Sequence, residues 1–204
     1  MKFVAIGLLA LSGFAGSAFA IDFTGPVAAG NWASTSTGTF VGGSPTVGSA
    51  VFSTTQLVLT GGNSISPPPG GDTPGCTGGS FQVLGPCQFQ STIGLGGTYA
   101  FNWSYLTADG AGPGGDIFGV IVDGTRTVLS NPGGAIGQNG ATSFTAASSF
   151  GFFINCTDCI GGSASATVSG LNYTAQAIPE PSTYALMLLG ALGVAGQIKR
   201  RKKA

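Results

Sequence analysis

Residues 99–105 read Tyr-Ala-Phe-Asn-Trp-Ser-Tyr, and this alternating stretch decides the fold. Successive side chains of a β-strand point to opposite faces, so a period of two places the four aromatic rings on one face of one strand. These rings belong to Tyr99, Phe101, Trp103 and Tyr105. They would form either the core of a β-sandwich or an exposed platform that stacks against sugar rings, because both arrangements need this periodicity. The sequence leaves both interpretations open and favours the core.

Short apolar runs separated by turn residues continue on both sides of this stretch. We expect strands around Trp32 and over residues 39–41, 50–60, 88–95, 117–122, 125–129, 142–146, 150–155 and 164–175, with a short apolar segment at 81–84. Residues 61–79 and 131–140 are rich in Gly and Pro and predict loops. Asp123-Gly124 between two apolar runs predicts a tight hairpin. About eight to ten short strands without a helical period indicate an all-β fold, a single antiparallel β-sandwich of jelly-roll or immunoglobulin-like topology.

The N-terminal segment has the pattern of a signal peptide. Lys2 is followed by an apolar run over residues 3–11, and Ala18-Phe19-Ala20 fits an A-x-A cleavage site. We therefore expect residues 1–20 to be removed and the mature chain to begin at Ile21.

The C-terminal segment, residues 179–204, combines three features in fixed order. A polar motif, Pro179-Glu180-Pro181, precedes residues 182–198, which carry no charge. A helix over 182–198 would be roughly 25 Å long, a marginal transmembrane span that snorkelling basic side chains can complete. A basic stop follows, made of Lys199, Arg200, Arg201, Lys202 and Lys203. Basic residues beside a span resist translocation, so the upstream chain would lie outside the cytoplasm.

This tail resembles the PEP-CTERM sorting signal of Gram-negative bacteria, with Ile178 where Val usually stands. The resemblance implies a transient anchor in the inner membrane, cleavage by an exosortase-type membrane protease, and a final place at the cell surface or outside the cell. It also implies an association with extracellular polysaccharide or biofilm matrix. The alternative is an ordinary single-pass anchor that stays in place. In either case residues 21–178 form the folded domain.

The charges of this domain exclude several classes of function. Its one cation, Arg126, stands against six aspartates, which gives a net charge of −5. An acidic domain without a basic patch does not bind nucleic acid. The whole chain lacks His, so Ser-His-Asp and Cys-His catalysis and histidine metal ligation are excluded. The domain also lacks Glu and Lys, and we expect no enzymatic activity and no cofactor.

Four cysteines in an exported chain predict disulfides. Three connectivities exist for Cys76, Cys87, Cys156 and Cys159, and the sequence favours the local pairs Cys76–Cys87 and Cys156–Cys159. A thiol–disulfide oxidoreductase at Cys156-Thr-Asp-Cys159 is the enzymatic alternative. It would need a helix N-terminus to lower the thiol pKa, whereas a turn and a strand are expected to follow.

Asp109, Asp116 and Asp123 lie in expected turns and could converge on a calcium ion at one end of the sandwich. Calcium takes hard oxygen ligands in a flexible shell, but this spacing fits no EF-hand loop. Aspartates in turns more often accept hydrogen bonds from their own backbone. The sequence therefore favours backbone hydrogen bonds for these aspartates and leaves calcium open as the alternative.

Three functions follow from these observations. The first is an exported, non-catalytic surface or matrix protein that an exosortase-type protease sorts and cleaves. The second is a carbohydrate-binding module that uses the aromatic strand, with or without calcium. The third is the thiol–disulfide oxidoreductase.

Overall fold

A computed structural model describes residues 19–37, 39–40, 48–62, 76–77, 87–109, 112–156, 162–176 and 186–192. The chain divides into two compact units, of which Ala18–Gln176 is the domain described below. In the other unit the described residues are 186–192, which form a helix.

The described part of the domain consists of strands joined by short connections. The strands are β1 (Phe19–Ile21), β2 (Ala33–Thr37), β3 (Thr39–Phe40), β4 (Ser49–Phe52), β5 (Gln56–Thr60), β6 (Cys76–Thr77), β7 (Cys87–Ile93), β8 (Gly97–Thr107), β9 (Phe118–Val122), β10 (Thr125–Val128), β11 (Gly137–Ala146), β12 (Phe150–Cys156) and β13 (Ala164–Ala175). Three 3-10 turns lie at Gly25–Val27, Ala29–Asn31 and Gly112–Gly114.

Two antiparallel sheets face each other. The front sheet has the order β11-β8-β13-β5-β4, with β1 also paired to β13, and the back sheet has the order β10-β9-β12-β7-β2. Strands β3 and β6 pair separately. Between β7 and β13 the chain alternates between the sheets except at the β9–β10 hairpin. The resulting order, β5-β13-β8-β11 over β7-β12-β9-β10, is that of an eight-stranded jelly roll. The structure confirms the antiparallel sandwich and selects the jelly roll from the two expected topologies.

The aromatic face of β8 packs into the core. Tyr99, Phe101 and Tyr105 are 0%, 3% and 2% exposed. Opposite them, the back sheet contributes Phe150, whose ring stacks on Tyr99 at 4.1 Å, and Phe152, which meets Phe101 edge-on at 5.0 Å. Aromatic pairs prefer such offset and perpendicular geometries. The core interpretation of the alternating stretch is confirmed.

A β-bulge interrupts β13. Its register with β8 shifts between Ser169 and Asn172, so that one extra residue stands on β13. Gly170 lies in this interval with φ of +59°, a conformation that glycine adopts without strain. The extra residue resets the alternation, and Leu171 and Tyr173 both point into the core.

The expected hairpin at Asp123-Gly124 is confirmed. Both residues have positive φ, +49° and +81°, as a type I′ turn requires. The turn joins β9 to β10 with Thr125 opposite Val122.

Two expected boundaries are wrong. Residues 50–60 form the two strands β4 and β5, because a turn at Ser53 reverses the chain and its hydroxyl accepts hydrogen bonds from the backbone N–H groups of Thr55 and Gln56. The loop expected over residues 131–140 ends early, since β11 already begins at Gly137, opposite Leu106. Pairing with the long strand β8 overrides the low strand propensity of glycine there. The segment expected at 81–84 and most of the loop at 61–79 lie outside the described residues.

Candidate functional site

The sorting motif and its basic stop lie outside the described residues, so Pro179, Glu180, Pro181 and Lys199, Arg200, Arg201, Lys202 and Lys203 remain predictions. The described helix at 186–192 falls within the expected span of 182–198 and carries five large apolar side chains that are 61–70% exposed. Among the described residues, no helix combines the length and the hydropathy that a membrane crossing demands.

The aromatic strand offers no stacking platform. Tyr99, Phe101 and Tyr105 face the core, so the platform interpretation is wrong for these three rings. Trp103 is half-buried, and its ring lies over Gly140, where an added Cβ would come within 2.9 Å of the indole. The indole also packs against the core, with the ring of Phe118 at 5.8 Å. A sugar could reach only part of this indole.

The tyrosine hydroxyls of the core bind backbone carbonyls. Tyr99 donates to the carbonyl of Leu95 at 2.6 Å, and Tyr105 donates to the carbonyl of Asp116. Burial raises the pKa of Tyr99 far above its ordinary value. Burial and then the negative charge of Asp116 raise the pKa of Tyr105 to about 12. These hydroxyls stay protonated and serve the structure.

Asp109 and Asp116 come together where β8 ends and β9 begins. Both residues are at least nine-tenths buried, at 9% and 2% exposure. Thr107 connects them, because its hydroxyl donates to the Asp116 carboxylate at 2.8 Å and accepts from the backbone N–H of Asp109 at 3.0 Å. Thr107 thereby ties Asp109 and Asp116 to the end of β8.

Asp123 lies at the opposite end of β9, roughly 20 Å from Asp116 at the rise of an extended strand. Its carboxylate accepts hydrogen bonds from the backbone N–H groups of Ala147, Ser148 and Ser149 at 2.8 to 3.0 Å. These bonds, led by that of Ala147, hold its pKa far below the ordinary value for Asp. The three aspartates that could have held calcium together therefore do not converge. Within the described ranges no three His, Cys, Asp or Glu side chains form a group that could hold a metal.

The backbone register bears on the cysteines. Cys87 at the start of β7 lies directly opposite Cys156 at the end of β12. Cys76 begins β6, where it lies opposite Phe40. Cys159 lies outside the described residues. The register thus places together two cysteines that sequence proximity assigned to different pairs.

Five strands of the front sheet, all but β1, present a broad uncharged surface to the solvent, here called the polar face. Its solvent side is formed by Asn139, Ala141, Ser143 and Thr145 on β11, by Thr98, Ala100, Asn102, Ser104 and Leu106 on β8, by Ser165, Thr167, Ser169, Asn172 and Thr174 on β13, by Gln56, Val58 and Thr60 on β5, and by Ser49 and Val51 on β4. All of them are exposed or half-buried. The sequence contains a signal for this face, since small polar residues alternate with the core residues of β8.

Comparison with known proteins gives one match to a protein family. The model of the PEP-CTERM protein-sorting motif matches residues 177–203. The chain therefore carries a C-terminal sorting motif of the kind found on exported proteins, as its tail predicts. A comparison with curated proteins gives no match.

The solved structures with a distant likeness include the following two. One is the family 11 carbohydrate-binding module of the cellulosomal cellulase Lic26A-Cel5E of Clostridium thermocellum, at 10% identity and a TM-score of 0.36, covering 81% of this chain and 98% of that chain. The other is the enzymatically active domain of tailspike protein 4 of bacteriophage CBA120, at 14% identity and a TM-score of 0.29, covering 70% of this chain and 19% of that chain. Scores this low carry no argument about function, and the jelly-roll assignment rests on the strand order.

Proposed function

We propose that this chain is an exported, non-catalytic protein of the cell surface or extracellular matrix. The observation that carries the proposal is the sorting motif at residues 177–203, which follows the last strand of the domain almost directly. An exosortase-type protease of the inner membrane would recognise the tail, cut near Pro179-Glu180-Pro181, and free the jelly roll. The acidic domain, at −5, suits a soluble extracellular product.

The non-catalytic part of the proposal rests on the side chains that the domain offers. It has no His, Glu or Lys, so Asp and Tyr are its ordinary acid–base groups. Asp123 accepts backbone hydrogen bonds, Asp116 accepts one from Thr107, and the Tyr99 and Tyr105 hydroxyls donate to backbone carbonyls. These groups are committed to structure. The redox alternative finds little support, because Cys156 ends a strand instead of beginning a helix.

The sorting step is tested by changing the one carboxylate of the motif. Full-length wild-type protein and Glu180→Gln are produced in a Gram-negative host that carries the protease, and the exported and membrane fractions are analysed by intact mass. We expect released wild type without its tail and Glu180→Gln held in the membrane at the mass of the signal-cleaved chain. Asp72→Asn removes a carboxylate far from the motif in sequence and should be processed normally. Normal release of Glu180→Gln would refute motif recognition.

Export also predicts disulfide formation, and the register changes the expected pairing. Directly opposed antiparallel residues have Cα atoms about 4.5 or 5.5 Å apart, and a disulfide spans both distances. We therefore propose a bond between Cys87 and Cys156, which leaves Cys76 for Cys159. Two thiols would give up two electrons and two protons to a disulfide-donor protein of the export compartment. Peptide mapping of the exported protein without reduction tests this pairing, and a Cys76–Cys87 peptide or free thiols would refute it.

A further inference from the structure

We infer that the polar face binds a neutral polysaccharide through rows of hydroxyl and amide groups. The inference rests on the proposed function, because an exported domain is the one that meets extracellular glycan. It places the binding surface on the outward side of the front sheet and not on the aromatic side of β8.

The polar face presents its groups in rows across neighbouring strands. Thr145, Thr98 and Thr174 form one row, since Thr98 lies opposite both other residues. Asn139, Ser104 and Thr167 form another row by the same pairing. Neighbouring strands lie about 4.8 Å apart, and successive outward residues of one strand lie about 6.7 Å apart. Hydroxyls and amides therefore recur on a regular grid that a chain of sugar rings could follow.

Most side chains of the polar face are small, and one pair of them is joined by a hydrogen bond. Thr98 Oγ1 and Thr145 Oγ1 lie 3.1 Å apart and share a hydrogen bond. The backbone beneath is fixed by pairing on both sides of β8 and of β13. Groups held in advance lose little conformational entropy when they bind. Ser, Thr and Asn give both donors and acceptors, which is what sugar hydroxyls require.

The polar face as defined above carries no charged residue. The domain has few charges anywhere, since residues 21–178 contain one Arg and six Asp. The domain as a whole is acidic, so an anionic polymer would gain no attraction to it. The surface is complementary to a neutral, hydroxyl-rich polymer.

Other partners fit the polar face poorly. Protein interfaces concentrate Tyr, Trp, Phe, Met and Arg at their centres and are poor in Ser. The polar face as defined above contains none of those five residue types. Its large apolar residues are few: Val51 and Val58 lie opposite each other, Leu106 lies on β8, and Ile21 of β1 borders the face opposite Asn172. A lipid surface would call for a basic or continuous apolar patch. These comparisons favour a glycan over a protein or a membrane.

The test uses the processed protein purified from the exporting host. Amorphous cellulose and soluble dextran are the neutral probes and alginate is the anionic one, and binding is measured by pull-down and by affinity electrophoresis. We expect retention by at least one neutral glucan and none by alginate. The double variant Ser104→Lys/Thr167→Lys places two bulky charges at the centre of the face, and we expect it to bind at least about tenfold more weakly, as when one or two hydrogen bonds are lost.

The matched control is Thr35→Lys/Thr125→Lys, which puts the same charges on two exposed threonines of the back sheet. We expect it to bind like the wild type. Thermal unfolding of both variants shows whether the fold is intact. No retention of wild type by either glucan, or equal loss in both double variants, would overturn the inference. Intact mass of the same samples reports tail processing separately, so a failure of sorting and a failure of glycan binding are distinguishable.

Discussion

Truncation of Phe101 tests whether the aromatic face of β8 is the core. Phe101 is 3% exposed, and its ring centroid lies 5.0, 6.0 and 6.4 Å from those of Phe152, Phe150 and Phe144. Phe→Ala in a core removes about 3–5 kcal/mol of unfolding free energy, and lost aromatic pairs contribute about 0.5–1.5 kcal/mol each. We expect Phe101→Ala to lower the unfolding free energy by about 4 kcal/mol.

This loss is a large part of the roughly 5–15 kcal/mol that stabilises a domain of this kind. With a urea m-value of about 2 kcal/mol/M, the midpoint of unfolding moves down by about 2 M. For a domain of this size Tm falls by roughly 8–16 °C. Fluorescence of Trp32 and Trp103 reports the transition, since both lie in the domain.

The control for this experiment is an outward-facing residue of the same strand. Ser104 points to the solvent, and Ser104→Ala should stay within about 0.5 kcal/mol of the wild type. If Phe101→Ala cost less than 1 kcal/mol, or if the two variants were equally destabilised, the alternation of β8 between core and polar face would be wrong.

Three further predictions concern titration and packing. The stability that the Asp123 carboxylate contributes is present above pH about 4 and is lost as the pH falls toward the depressed pKa of this group. The difference in Tm between wild type and Asp123→Asn should therefore narrow from pH 7 to pH 3. The pKa of Tyr105 is raised to about 12 in the folded protein, so the stability that its protonated hydroxyl contributes is complete below pH about 10 and is lost as the pH rises through 12. Tyrosinate absorbance should therefore appear together with unfolding. A Cβ at Gly119 would lie 2.3 Å from the carbonyl oxygen of Thr127, so Gly119→Ala should lower the unfolding free energy by about 1–3 kcal/mol. A Cβ at Gly30 would meet nothing within 4 Å, so Gly30→Ala should change the unfolding free energy little. Urea titration of both variants measures the difference.

The sequence predicted the sandwich because its strongest signal was local. The alternation over residues 99–105 and the Asp123-Gly124 pair each depend on a few neighbouring residues, and the structure confirms both. The choice of the jelly roll depends on which strands pair across long separations, such as β5 with β13, and no local pattern encodes that pairing.

The sites were harder to predict because spatial neighbours are distant in sequence. Asp116 and Asp123 are close along the chain, yet β9 separates them along its whole length. Cys87 and Cys156 are far apart along the chain, yet the register sets them opposite each other. The bulge at Gly170 has a local signal in the sequence, since a glycine inside a strand often marks a bulge.

The pairing of β1 with β13 bears on the order of maturation. Phe19 and Ala20 lie opposite Thr174 and Tyr173, so the expected leader cut after Ala20 would fall inside β1. A peptidase that acts on unpaired chain would have to make this cut before β1 pairs with β13. The cut would leave Ile21, opposite Asn172, as the remaining residue of β1 and would uncover the edge of β13 at Tyr173 and Thr174.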